Sequence, residues 1–244
     1  MFVDFSTATA GKMSSPKIIL YTSRICPWAH RAHITLKELG LAFEEVTIDL
    51  STPREPWYLE INPRGQVPAL SYEGNIITES AIVARFLADA HPSHLLPPST
   101  GVENALYRAR LDWFVDAFIT KVNPQIFASA GAATEEDRDK AAEALVAAVA
   151  KDIEPRLVEG KGPFYGGSEK LTLAEALTGS FLLRIHGFSK PEYGLISTKL
   201  PKLLEEKVPK FKRWLEATVQ HESVNYIWDE AKVAAITKQR FAKK

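Results

Sequence analysis

Apolar positions along the chain follow two regimes. Up to about residue 90 they come as short runs separated by turn residues; beyond residue 101 they recur at helical spacing. Ile18-Ile19-Leu20-Tyr21 is an apolar run of the kind that makes a buried strand. Thr22, Ser23 and Arg24 break it, and Trp28, Arg31, Ala32, Ile34, Thr35, Leu36 and Leu39 then read as a helix that Pro27 opens and Gly40 stops. Residues 43–48 are β-rich and predict a second strand, parallel to the first because strand, helix and strand at this spacing form a right-handed βαβ unit. Residues 49–60 hold two prolines and Trp57-Tyr58-Leu59 and predict a loop with a short irregular helix. Asn62-Pro63-Arg64-Gly65 is turn chemistry, and residues 67–72 and 76–78 flank Glu73-Gly74-Asn75 as a hairpin. Glu79-Ser80 opens a helix through Ile82, Val83, Phe86 and Leu87. The predicted order is βαβαββα.

The stretch 91–101, with three prolines and a closing glycine, reads as a linker. Past it, Leu106, Ala109, Leu111, Trp113, Phe114, Ala117, Phe118 and Val122 predict one amphipathic helix over about 104–128. Thr134-Glu135-Glu136-Asp137 starts an alanine-rich helix that reaches Ile153, its polar face solvated. The glycine-rich stretch 160–167 is a turn, because no GK[ST] comes after it to make a phosphate cradle. Thr172 and Glu175 have the spacing of a capping box, a structural motif, ahead of a helix apolar nearly all round (Leu173, Ala174, Ala176, Leu177, Phe181, Leu182) and therefore buried. His186 ends that helix as a C-terminal cation. Pro201 opens a further helix through Phe211, Trp214 and Leu215, and residues 224–241 form the last segments. The expected organisation is an N-terminal flexible arm (1–16), an α/β domain (17–90), a linker (91–101) and an all-helical domain (102–244).

Composition narrows the function. Thirty Lys and Arg balance thirty Asp and Glu among 244 residues, so no net field steers the chain to nucleic acid or to an anionic membrane. One cysteine excludes an intramolecular disulfide and a multi-thiolate metal site. His91 and His94 lack a third ligand, so no metal is expected. No stretch approaches the roughly 18 apolar residues of a membrane span, and the opening residues have no basic segment leading into an apolar one. A cytoplasmic location is expected.

The candidate chemistry centres on Cys26. Between a strand and a helix that Pro27 opens, it falls at or just before the N-cap, where the macrodipole and the unpaired first-turn amides favour a thiolate, the nucleophilic form. Arg24 or Arg31 would add to this if either turned inward. Pro68 heads a strand, where a proline is either a cis residue that re-aims the backbone or an ordinary edge residue; in the first case the Val67 backbone is freed to pair with an extended ligand. Glu79 and Ser80 satisfy first-turn donors, or the same helix start holds a ligand carboxylate.

Residues 17–96 resemble the thioredoxin-like domain of cytosolic glutathione transferases, and Cys26-Pro27-Trp28-Ala29 resembles the omega class in particular. Asn62-Pro63-Arg64-Gly65-Gln66-Val67-Pro68 and Glu79-Ser80-Ala81-Ile82 are similar to that family's glutathione-site signatures in order and spacing. The resemblance implies an α/β thioredoxin-like N-terminal domain and, after it, an all-α domain. It implies glutathione as co-substrate, with Cys26 forming a mixed disulfide with it. Pro68 would be cis, and the Val67 backbone would pair with the cysteinyl portion. Glu79 and Ser80 would bind the γ-glutamyl ammonium and carboxylate, and Arg54 the glycyl carboxylate. The Thr172–Glu175 capping box is similar to one in the family's helical domain, and a homodimer is implied by the resemblance alone. With Ala29 three residues after Cys26 there is no internal resolving thiol, so a second glutathione would resolve the disulfide. Trp28, Phe114, Phe118 and Trp214 are available to wall an acceptor pocket. The expected activity is thiol transfer: deglutathionylation, or reduction of disulfides or dehydroascorbate. The alternatives are conjugation of glutathione to an electrophile, reductive dehalogenation, or a non-catalytic binding or regulatory module.

Overall fold

In the computed structural model, which describes residues 15–158 and 160–242, the first half builds a four-stranded sheet in the order β2-β1-β3-β4. β1 (Ile18–Thr22) runs parallel to β2 (Glu44–Thr47) and antiparallel to β3 (Ala69–Tyr72), which pairs in turn with β4 (Asn75–Thr78) across the expected hairpin. β1 joins β2 through α1 (Pro27–Glu38), and α2 (Pro56–Ile61) and α3 (Ser80–Ala90) complete the βαβαββα order. The expected N-terminal arm falls almost wholly outside the described residues.

Alternation sorts the side chains of the sheet. Ile18, Leu20 and Leu70 pack on one face with Ala32 and Leu36 of α1 and Val83 and Leu87 of α3. Ile48, Tyr58 and Val67 pack with Ala29 on the side of α2. The arrangement is a thioredoxin-like layer, and the remainder of the chain is mostly helical.

α4 (Val102–Ala117) does not continue to residue 128. A π-helical turn at Phe118–Val122 interrupts it, and α5 (Asn123–Ala130) resumes the chain. Pro124 supplies the reason: it has no amide to donate, and its ring crowds the carbonyl four residues back, so the backbone widens ahead of it. α6 (Glu135–Asp152) is capped by Thr134 as expected, but its polar face is not wholly given to solvent, since Asp139 bonds Ser197 and Lys199. α7 (Leu173–Phe188) is buried almost throughout. The helix expected from Pro201 through Leu215 is two, α8 (Leu200–Lys207) and α9 (Pro209–Gln220), because Pro209 forces a break at Val208. α10 (Glu222–Asn225) and α11 (Glu230–Ala242) close the chain.

Thr172 Oγ1 accepts from Ala174 N at 3.2 Å, and Glu175 Oε2 accepts from Thr172 N at 2.8 Å, which closes the capping box. Glu175 does more than cap. Its fully buried carboxylate also accepts from Tyr165 N at 2.7 Å and from Trp214 Nε1 at 2.5 Å, joining the 160–167 turn, α7 and α9 at one point. Burial raises its pKa, against the opposing effect of these donors.

Candidate functional site

Cys26 is the N-cap of α1, in extended conformation, with Pro27 in the first turn behind it. Its amide donates to Ser23 O at 2.9 Å, and its carbonyl accepts from His30 N at 3.0 Å. The turn that ends β1 and the first turn of the helix therefore both hold the cysteine. Sγ takes no capping hydrogen bond from a first-turn amide, and the residue is partly exposed. Cys26 opens onto a cleft of about 460 Å³ whose lining includes Trp28, Arg31, Arg54, Val67, Pro68, Glu79 and Ser80. Residues separated by more than fifty positions meet there because β1 and β3 are neighbours in the sheet.

The Val67–Pro68 peptide is cis. Val67 precedes β3 and stands outside its ladder. Glu79 caps α3 at φ 68°, in the left-handed region that costs a non-glycine residue energy and that collects at functional sites. Its Oε1 accepts from Arg64 Nη1 at 2.5 Å. Ser80, the first residue of α3, is buried, and its Oγ accepts from Arg31 Nη1 at 3.2 Å.

Arg54 lines the cleft, but much of its guanidinium serves the fold. Nε donates to Gly65 O at 2.9 Å, and Nη1 donates to Asp49 O at 2.8 Å and Thr52 O at 2.6 Å, so it staples the loop between β2 and α2 to the turn after α2. Of the two arginines beside Cys26, Arg24 turns outward to a bidentate pair with Glu45, and only Arg31 turns in.

A second recess, of about 140 Å³, lies on the other side of Cys26 against the helical half. Trp28, Phe127, Arg184 and Phe241 are among its walls. Of the aromatic residues expected at an acceptor pocket, Trp28 alone borders either recess. Phe114, Phe118 and Trp214 are core instead, stacked on one another and on Phe181, Tyr165 and Phe211. They lie on the inward stripe of their helices, and periodicity cannot tell an inward stripe that faces a cavity from one that faces another helix.

Arg184 is the site residue that pattern reading passed over. It sits on α7, 3% exposed, and its guanidinium donates to Ser180 O at 2.7 Å and to Ile25 O at 2.8 Å, one residue before the cysteine. Burial lowers its pKa to about 10, with the nearby Cys26 opposing. The available signal was a lone arginine in an otherwise apolar helix. His91 and His94 go to separate partners, Tyr72 and Glu38.

Comparison with known proteins agrees with this geometry. Residues 25–90 match the glutathione S-transferase N-terminal domain family. The chain is 28% identical to glutathione S-transferase omega-1 of Rattus norvegicus over 219 residues, covering 89% of this chain and 83% of that one. It is 34% identical over 161 residues to the probable glutathione transferase omega-2 of Caenorhabditis briggsae, covering 65% of this chain and 60% of the relative. Glutathione transferase Omega 2C from Trametes versicolor superposes with a TM-score of 0.75 at 29% identity, over 93% of this chain and 99% of that one. Residues 25–90 thus carry a glutathione S-transferase N-terminal domain, and over nearly its whole length the chain is similar in sequence and fold to omega-class glutathione transferases.

Proposed function

We propose that this glutathione-dependent transferase works as a thiol transferase through Cys26. One observation carries the reading: the chain's single cysteine caps α1 at the mouth of a cleft whose walls include Val67, cis-Pro68, Glu79 and Ser80. The chemistry needs a thiolate held beside a bound disulfide.

Residues 17–90 would hold glutathione, and the helical domain from residue 102 would wall the acceptor side. Val67 would pair its backbone with the cysteinyl amide, Glu79 and Ser80 would take the γ-glutamyl end, and Arg54 the glycyl carboxylate. The Cys26 thiolate attacks the glutathionyl sulfur of a mixed disulfide. A Cys26–glutathione disulfide forms, and the acceptor thiolate leaves and takes a proton from water. The thiolate of a second glutathione then attacks that disulfide, releasing glutathione disulfide and restoring the Cys26 thiolate. Ala29, at the place of a second thiol, makes the external glutathione necessary. With dehydroascorbate the Cys26 thiolate would instead add to a carbonyl carbon as a thiohemiketal; one glutathione thiolate would attack that sulfur, expelling ascorbate and leaving the Cys26–glutathione disulfide, which a second glutathione resolves to glutathione disulfide. We propose a cytoplasmic homodimer as its working form.

Intact mass after incubation with oxidised glutathione, together with turnover of a small glutathione mixed disulfide, tests this reading on wild type and Cys26→Ser. The expected result is one glutathione adduct on wild type, none on the variant, and turnover lost with the sulfur. A wild type that takes no adduct and turns nothing over rejects thiol transfer. Retained conjugation of glutathione to an aryl halide by Cys26→Ser would point to conjugation instead.

A further inference from the structure

The recess on the helical side of Cys26 combines apolar walls with charge of one sign. Trp28, Phe127, Ile236 and Phe241 are among its walls, and its volume of about 140 Å³ is close to that of a cavity of about 150 Å³ that takes a benzene ring. The charged side chains that line it are two arginines, Arg184 and Arg240, and among the described residues no acidic side chain joins them. α11 supplies the second arginine. Val233, Ile236, Thr237 and Arg240 follow one another at helical steps, so they share the face of α11 that borders the recess. Val233 is buried and anchors that face, whereas Arg240 is exposed at the rim. Arg184 has Nη1 and Nη2 bonded to Ser180 O and Ile25 O. The guanidinium of Arg240 makes no hydrogen bond or ion pair among the described residues. The two like charges also act on each other, since Arg240 adds to the lowering of the Arg184 pKa that burial begins. An anion at the rim would relieve that repulsion and engage the donor fork of Arg240.

We propose that Arg240 is a specificity-determining residue, and that the acceptors this recess selects are aryl thiols, carried as glutathione mixed disulfides, whose ring bears an acidic group. The proposal rests on the thiol-transfer reading and deepens it by naming the acceptor class. The ring lies among Trp28, Phe127 and Phe241, and its carboxylate meets Arg240 at the rim, within the field of Arg184. The Cys26 thiolate bonds to the glutathionyl sulfur, the bond from that sulfur to the aryl sulfur breaks, and the aryl thiolate leaves with the electron pair.

Turnover of two mixed disulfides tests it, glutathione joined to para-mercaptobenzoate and glutathione joined to para-mercaptobenzamide. The two acceptors share a shape and differ in charge. Each kcat/KM is taken relative to the uncatalysed reaction of the same disulfide with glutathione, which removes the difference between the leaving thiols. Wild type should prefer the carboxylate by about 3- to 10-fold, between an exposed ion pair and a charge-assisted hydrogen bond. The preference should shrink as salt is raised. Arg240→Met should bring the carboxylate-to-amide ratio to within about twofold of unity, and Arg240→Glu should reverse it. Lys238→Met removes a charge from the same helix outside the recess and should keep the wild-type ratio. A ratio that moves in neither Arg240 variant overturns the proposal, as does one that Lys238→Met lowers as far as Arg240→Met. Wild type that turns over both acceptors alike also overturns it, while leaving thiol transfer intact. Wild type that turns over neither overturns both.

Discussion

Gly65 shows how closely a single residue controls the site. It lies just past α2 at φ 61°, and a Cβ there would lie 2.9 Å from Cγ of Arg54 and 3.3 Å from Cδ2 of Leu59. Both the backbone conformation and the neighbour demand glycine. Gly65→Ala should cost about 1–2 kcal/mol in thermal unfolding, and should weaken glutathione several-fold because Arg54 must move off the loop carbonyls it bonds. A variant that loses stability but keeps its affinity would make Arg54 a loop staple without a ligand role. At this scale Cys26, Pro27 and the Glu79-Ser80 helix start were legible, because caps and prolines act through their own backbone neighbours. Arg31 was legible as a position on the helical stripe, between Trp28 and Ile34, and as one of two candidate charges beside Cys26. Which way its charge points depends on α3 and on Ser80.

At the scale of elements, α1 is the most informative, because its histidines are sealed against the last third of the chain. His33 is fully buried, with Nε2 2.9 Å from Thr22 Oγ1 and Nδ1 2.9 Å from Tyr226 OH. Burial lowers its pKa from 6.5 to about 4, with Glu45 opposing and Arg24 assisting. His30, three residues earlier, is lowered in the same sense, first by burial and then by Arg184 and His33. At pH 7 both imidazoles are neutral folded or unfolded, and their neutral packing contributes in full. As pH falls below 6.5 the unfolded chain takes up protons that the folded one refuses, so stability drops until the folded pKa is reached. For His33 alone that loss is roughly 3 kcal/mol between about pH 6.5 and 4. Denaturant midpoints across this range should fall in wild type and fall less steeply in His33→Gln; equal slopes would show that α1 does not carry the pH dependence. The breaks at Pro124 and Pro209 belong to this scale too. An apolar period runs unbroken across each proline, and hydrogen-bond geometry, which periodicity ignores, ends the helix there.

Across the whole molecule, the α/β layer and the helical half are joined at the turn that leads into Cys26. The bond from Arg184 Nη2 to Ile25 O spans 159 residues of sequence, and Arg184 stacks 5.2 Å from the Trp228 ring on its way. Arg184→Met should cost about 1–3 kcal/mol in chemical denaturation, since the Ile25 carbonyl would be left without its buried donor. It should also slow formation of the Cys26–glutathione disulfide, because the turn that aims the thiol loses its brace. Unchanged stability would mean that packing of α1 and α3 against α7 holds the halves together without this bond. Among the described residues no helix is long and apolar enough to cross a membrane.

The sequence by itself determined what acts over a few residues or by a fixed period: the βαβαββα order, the N-cap cysteine, the capping box at Thr172 and the buried character of α7. These arise from hydrogen-bond closure and side-chain periodicity, which need no partner from elsewhere in the chain. Tertiary structure alone decided which stripe meets a cavity and which meets a core. It sent Phe114, Phe118 and Trp214 inward, turned Arg24 out to Glu45, and brought Arg31 and Arg184 around Cys26. Burial of a charge is set by every element that packs around it, and that sum is not written at any one position.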